Sequence, residues 1–135
     1  MTTELHWLTL STLLTALLWV PYILNRIMEG GFVETVLRDP EGHTATQVGW
    51  ARRLMAAHGN AVENLVVFAT LVLIAQAAGI STAQTQLAAS LYFFSRLAHV
   101  VVFTLGMPAI VRILAFFGGF IAQMIMVFSL LGWIG

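Results

Sequence analysis

Residues 64–95, NLVVFATLVLIAQAAGISTAQTQLAASLYFFS, decide the fold, because no charged side chain lies among them. A membrane-spanning helix needs about 20 mostly apolar residues, so this stretch is too long for a single span. The segment Gly79-Ile80-Ser81-Thr82 divides it with a turn signal. The stretch therefore predicts parts of two membrane helices joined by a short turn.

Two more charge-free stretches extend this pattern along the chain. No Asp, Glu, Lys or Arg lies between Glu4 and Arg26 or beyond Arg112. Hydrophobic residues make up 59% of the 135 residues and charged residues 9%, which leaves too little polar surface for a water-soluble domain. We expect one all-α, integral membrane four-helix bundle over residues 1–135, with helices at roughly 5–27, 49–78, 82–105 and 108–133.

Local signals refine these helices. Pro21 lies inside the first span and should bend it. Gly79 is placed to end the second helix in a left-handed conformation. Ser81 with Gln84 is a candidate capping box for the third helix, and Pro108 suits the first turn of the fourth.

The segment between the first two spans is the main polar stretch of the chain. It predicts an interfacial helical piece around 32–37, followed by a turn at Asp39-Pro40-Glu41-Gly42. Arg38 and His43 are interpreted as ordinary loop residues. The helical piece and the turn together predict a connecting loop rather than a second domain.

The arginines predict the orientation of the bundle. All six cationic side chains are Arg; four flank the polar loop, and Arg112 follows the last turn. By the positive-inside rule the loop is cytoplasmic and both termini lie outside. Zero net charge gives no indication of a nucleic-acid partner, and the absence of Cys excludes disulfides and a protein-borne thiol. Two His on different helices also make a poor ligand set for a metal.

Polar side chains recur along the last three predicted helices. At about 100° per residue, one arc of the second helix carries five of them: Arg52, Arg53, Asn60, Glu63 and Asn64. His58 falls nearly opposite, whereas Arg96, His99 and Phe103 share one face of the third helix. Ionisable residues at membrane depth cost about 2.5–3.5 kcal/mol and mark functional sites inside a bundle. We therefore expect a polar cavity that opens to the cytoplasmic side.

The side chains of this cavity suit a small zwitterion. Arg forks pair with carboxylates, and Glu63 can pair with an ammonium group. Structural interpretations stay open for the same residues: an interhelical ion pair of Glu63, interhelical hydrogen bonds of Asn60 and Asn64, core packing of His99, and an interfacial anchor at Arg112.

Three motifs at these positions resemble the MAPEG family, the membrane-associated proteins in eicosanoid and glutathione metabolism. The motifs are Asn60-x-x-Glu63-Asn64-Leu65, Arg96-x-x-His99, and Arg112 after a Gly-x-Pro turn. The resemblance runs over nearly the whole chain, from Pro21-Tyr22-x-x-Asn25-Arg26 onward, and is greatest to small bacterial members.

The resemblance implies a homotrimer in a bacterial inner membrane, with glutathione bound between subunits near the cytoplasmic side. Asn60, Glu63 and His99 match positions that bind glutathione, and Arg112 matches the catalytic Arg credited with stabilising its thiolate. Arg26 matches a further Arg near the thiol. The second substrate would be a lipophilic electrophile or hydroperoxide that enters from the bilayer.

Three positions differ from the catalytic branches of the family. Ala56 and Gly59 stand where those branches carry Arg, and Phe103 stands where they carry Tyr. Arg52 and Arg53 lie further up the helix and are candidates to compensate, and Arg96 joins them as a candidate glutathione-binding residue. Two other functions stay open: a non-catalytic membrane protein that binds a lipid or small acid in the same cavity, and a small transporter with Glu63 as a proton-coupled carboxylate.

Overall fold

A computed structural model describes residues 1–39 and 48–135. Five α-helices follow in order: α1 (Thr3–Leu17), α2 (Trp19–Gly30), α3 (Gly49–Ala77), α4 (Ala83–Thr104) and α5 (Ala109–Leu130). A short π-helical segment, Val33–Arg38, lies between α2 and α3. This segment confirms the helical piece predicted around 32–37, whereas most of the predicted turn after it, and His43, fall outside the described residues.

Within the described residues, four helical stretches are long and apolar enough to cross a membrane: Thr3–Gly30, Gly49–Ala77, Ala83–Thr104 and Ala109–Leu130. The expected all-α fold with four membrane spans is therefore confirmed. Since α2 and α3 are joined by the polar loop, and α4 and α5 by a turn at Gly106, both connections lie at one end of the bundle. That end is called the polar end below.

The first span is divided into α1 and α2, which meet at Leu18. Pro21 explains the break, because proline has no N–H to donate to the carbonyl of Leu17 four residues earlier. The bend predicted from Pro21 is thus present as an interruption. In α2, the Tyr22 hydroxyl contacts His58 of α3, and Arg26 pairs with Asp39 after the π-helical segment.

Helix α4 begins one residue later than the sequence signal indicated. Thr82 is the N-cap, and its hydroxyl accepts from the Thr85 N–H while the Thr85 hydroxyl accepts from the Thr82 N–H. The predicted box of Ser81 and Gln84 is therefore wrong. The Ser81 hydroxyl instead donates to both carboxylate oxygens of Glu4, at 3.0 and 3.1 Å.

Helices α4 and α5 pack closely because the facing residues are small. Gly118, Gly119 and Ala122 of α5 lie against α4, and Ala88 and Ala89 of α4 are fully buried. Small residues at such positions let the backbones of membrane helices approach each other closely. The core beside this contact includes Phe68 and Tyr92, whose rings stack at 3.8 Å.

Two glycines make the tight turns between spans. Gly79 has φ +68° and Gly106 has φ +72°, a backbone conformation that favours glycine. The predicted role of Gly79 as a helix terminator is confirmed. Pro108 is the N-cap of α5 rather than its first helical residue, so α5 presents Arg112 in its first turn, at the polar end.

Candidate functional site

A cavity of about 390 Å³ lies between α4 and α5 at the polar end. Its lining residues are His99, Phe103, Ala109, Arg112, Ile113, Phe116 and Phe117. Five of the seven are apolar, so the two polar side chains lie among hydrocarbon and aromatic walls. Such a cavity suits a ligand that is largely apolar but carries one anionic or polar group.

Arg112 brings a cation to this cavity. Its guanidinium lies over the Phe103 ring, with Cζ 4.9 Å from the ring centroid. Its Nε is buried and makes no hydrogen bond within the part of the chain that the structure describes. No described carboxylate forms an ion pair with it, unlike Arg26 and Arg38. Arg112 is therefore a cation at the cavity wall with capacity left for an anionic ligand.

His99 forms the second polar wall of the cavity. It is 5% exposed, with its ring 5.5 Å from that of Phe103 and 6.1 Å from that of Phe116. Because His99 lies one turn after Arg96 on α4, the two predicted site residues share a face, yet only His99 lines the cavity.

Arg96 lies deeper and ties three helices together. It is 3% exposed. Its Nη2 donates to the Phe116 carbonyl of α5 at 2.8 Å, and its Nη1 donates to Oδ1 of Asn60 on α3 at 3.2 Å. The guanidinium also lies 5.5 Å and 5.0 Å from the ring centroids of Tyr92 and Phe116. All of these contacts are internal to the bundle.

Gly119 makes the space for this guanidinium. A Cβ added at Gly119 would lie 2.6 Å from Nε and 2.7 Å from Cζ of Arg96. Real Cβ atoms do not approach other atoms so closely, so any other residue would displace the guanidinium. The close packing of α5 on α4 thus depends on the glycine and the arginine together.

A chain of amides continues from Arg96 along α3. Asn64 Nδ2 donates to the Asn60 carbonyl at 2.9 Å, and Gln123 of α5 donates to the Asn64 carbonyl at 3.2 Å. Gln123 is 5% exposed and has no counterpart among the predicted site residues. The signal that could have found it is a single strong hydrogen-bonding side chain in an otherwise apolar half-helix.

Arg53 of α3 contacts the C-terminal end of α4. Its Nε donates to the Thr104 carbonyl at 2.9 Å, and a Cβ at Gly106 would lie 3.1 Å from its Cζ. The arginine thus satisfies a carbonyl of the last turn, where cations are favourable. Arg53 stabilises the turn that leads to α5 and Arg112.

Arg52 and Glu63 lie at the edge of the polar arc that points away from the buried face of α3. Both are exposed in the single chain, and Glu63 is flanked by exposed Val62, Val66 and Val67. Within one chain these two side chains do not line the cavity between α4 and α5, so a single polar cavity that includes them stays a prediction. The helical wheel groups the side chains correctly, but the arc straddles the boundary between the packed and the unpacked face of α3.

Two further pairs of polar side chains contact each other within the chain. The Tyr22 hydroxyl lies 2.8 Å from Nδ1 of His58, which agrees with the structural role expected for a His opposite the polar arc. Arg26 pairs with Asp39 at 2.8 Å, and both side chains are mostly buried. Among the described residues, no three His, Cys, Asp or Glu side chains are grouped to hold a metal ion.

The fold and these positions define an integral membrane helical bundle with an arginine-bearing apolar cavity at one end. Residues 5–132 match the family model described as the MAPEG family, so the chain belongs to that family. The family includes glutathione transferases and peroxidases as well as other members. No curated protein and no solved structure matches the chain.

Proposed function

We propose that this protein is a membrane-bound, glutathione-dependent transferase or peroxidase that acts on lipophilic electrophiles or hydroperoxides. The observation that carries the proposal is Arg112, a cation without an acidic partner among the described residues, at the wall of an apolar cavity. Family membership supports glutathione as the thiol, because family members commonly use it.

Arg112 has a defined task in this reaction. A thiol is reactive as the thiolate, and a nearby cation favours the thiolate and lowers the thiol pKa from about 8.5. The position of Arg112 in the first turn of α5 adds the positive end of the helix dipole. The buried Nε without a hydrogen-bond partner fits an anionic group in the cavity.

The remaining walls suit the second substrate. Phe103, Phe116 and Phe117 give the cavity apolar aromatic surfaces, and Phe117 and Ile113 are also exposed on the outside of α5. A lipophilic electrophile dissolved in the bilayer could therefore reach the thiolate without crossing water. Glutathione supplies the nucleophilic sulfur, and the chain supplies the cation and the dry surroundings.

By the family resemblance, glutathione would contact Arg26, Asn60, Glu63 and His99. Arg52, Arg53 and Arg96 are further candidates that lie near these positions in the sequence. The contacts found within one chain favour some of these over others. Asn60 and His99 retain unpaired hydrogen-bonding capacity, whereas Arg26, Arg53 and Arg96 are already bound to protein groups. Asn60 and His99 are therefore the better candidates for direct contact.

A homotrimer with glutathione between subunits would explain why a charged side chain lies on the exposed side of α3. Glu63 lies in the middle of a membrane helix, exposed among valines in the single chain. A charge facing lipid there costs about 2.5–3.5 kcal/mol, so a facing subunit with polar partners is favoured. The positive-inside rule supports a cytoplasmic polar end in a bacterial inner membrane, with both termini outside.

A thiolate titration tests the proposal directly. Glutathione is added to the purified protein in detergent, and thiolate absorbance is followed in the ultraviolet. We expect a saturable signal that Arg112→Ala abolishes, while Arg38→Ala keeps it, because Arg38 is exposed and pairs with Glu34. An undiminished signal in Arg112→Ala would contradict the thiolate role.

A second candidate function is a non-catalytic protein that binds a lipid or small acid in the same cavity. The observation in its favour is Phe103, which removes a hydroxyl from the cavity wall where the catalytic branches of the family carry Tyr. Saturable binding of a fatty acid without glutathione-dependent turnover would favour this candidate. The transporter hypothesis gains no support from the described residues, because Glu63 lies on the exposed side of α3.

A further inference from the structure

The carboxamide of Asn60 is held in one orientation by its neighbours. Its Oδ1 lies 3.2 Å from Nη1 of Arg96 and 3.4 Å from Nδ2 of Asn64. A guanidinium carries donors only, so the reverse orientation would set the Asn60 NH2 group against another donor. The contact with Arg96 therefore fixes the orientation of the carboxamide, with its oxygen towards Arg96.

The nitrogen of the same carboxamide is left available. Asn60 Nδ2 makes no hydrogen bond to any residue that the structure describes, and the side chain is only half-buried. With Oδ1 occupied by two donors, the group can offer a ligand its two N–H bonds. Asn60 is thus prepared to recognise an acceptor oxygen rather than an ammonium group.

Arg96, which orients the Asn60 carboxamide, is itself held in place by α5. Arg96 is bound at its other end to the Phe116 carbonyl, and it occupies the space that Gly119 leaves in α5. Its position is therefore determined by α5, the helix that also carries Arg112. Through Arg96, the packing of α5 sets the geometry of a side chain on α3.

We propose that Arg96 is a positioning residue, which fixes Asn60 so that its NH2 group donates to a carboxylate or amide oxygen of the thiol substrate. This inference rests on the proposed function, because that function supplies the substrate. Arg96 acts through Asn60 and makes no contact with the substrate.

The substitution Asn60→Asp tests the donor role. The Asp side chain has the same shape and keeps an oxygen towards Arg96, but it replaces the NH2 donors with a second acceptor oxygen. We expect glutathione binding to weaken about 10- to 100-fold, the equivalent of one lost hydrogen bond to a charged group. The melting temperature in detergent should stay at or above that of wild type, because Arg96 gains a charged partner.

Two more variants separate positioning from general stability. Arg96→Lys keeps the charge but loses the planar fork, so Asn60 is no longer oriented. We expect a raised KM for glutathione and a retained kcat at saturating glutathione, whereas a purely structural defect would lower the active fraction and kcat. Arg38→Lys is the matched control: it makes the same exchange at an exposed arginine that pairs with Glu34, and it should bind glutathione as wild type does.

The outcomes are distinguishable. If wild type binds glutathione and Asn60→Asp binds it equally well, the donor role is wrong while the proposed function stands. If wild type binds no glutathione at millimolar concentration, the proposed function fails and the donor role fails with it. In that case the coupling of positions 60 and 96 in a double-mutant melting cycle still decides whether Arg96 holds Asn60, and zero coupling would overturn this too.

Discussion

Replacing Gly119 by Ala should disrupt the buried contacts of Arg96. The new Cβ would lie 2.6 Å from Nε and 2.7 Å from Cζ, so the guanidinium has to move. Its hydrogen bonds to the Phe116 carbonyl and to Asn60 Oδ1 would then be lost or lengthened. Because Arg96 is 3% exposed, water cannot replace these bonds.

The magnitude follows from these contacts. A hydrogen bond to a charged group contributes about 1.5–3 kcal/mol, so two lost bonds cost about 3–6 kcal/mol. Ala is a better helix former than Gly by about 1 kcal/mol, which offsets part of the loss. We therefore expect Gly119→Ala to lower the free energy of unfolding by about 2–5 kcal/mol.

The neighbouring glycine provides a matched control. A Cβ at Gly118 would meet Oγ of Ser95 and lie 3.2 Å from its Cβ. A change of the Ser95 rotamer relieves the contact with Oγ, and the contact with Cβ needs a shift of only a few tenths of an ångström, so we expect a smaller cost than at Gly119. Unfolding of wild type, Gly118→Ala and Gly119→Ala would be measured by denaturant titration in mixed micelles. Equal stability of the two variants would refute the reasoning, because both add the same methyl group to the same helix.

Three further substitutions probe contacts away from the cavity. Glu4→Ala should lower stability by about 1–3 kcal/mol, because the buried Thr85 hydroxyl loses its carboxylate acceptor; unchanged melting in detergent would contradict this. Tyr22→Phe removes the hydrogen bond to His58 and should lower stability by about 0.5–1.5 kcal/mol in the same melting assay. In a His58→Ala background the hydrogen bond is already absent, so Tyr22→Phe should cause no further loss there. Arg53→Ala should speed amide hydrogen exchange in the last turn of α4 and cost about 1 kcal/mol; unaltered exchange there would show that the contact contributes nothing.

The spans were predictable because the bilayer imposes a local requirement. Every backbone N–H and C=O inside the hydrocarbon must be bonded, so a long apolar run becomes a helix whatever its partners are. The break before Pro21 and the turn at Gly79 were predictable for a similar reason, because both depend on the backbone of the residue itself.

The start of α4 was misplaced because its determinant is far away in the chain. The local sequence predicts Ser81 as the N-cap. Its hydroxyl instead binds Glu4, near the start of the sequence, and Thr82 is the N-cap. Gln123 was missed because one amide in an apolar helix marks a hydrogen-bonding residue without indicating what it binds. Its partner, the carbonyl of Asn64, is known only once α5 lies against α3.

For the candidate site, too, some features follow from local sequence and others depend on tertiary contacts. The sequence by itself determined the apolar spans, their turns and the residue types of the polar end, since these depend on composition and on helical periodicity. Only the tertiary structure decided which polar side chains meet. A helical wheel gives the angles between side chains on one helix, but it does not give the direction in which a neighbouring helix lies. That direction, set by small residues such as Gly119, buries Arg96 against Asn60 and leaves Glu63 on the outside.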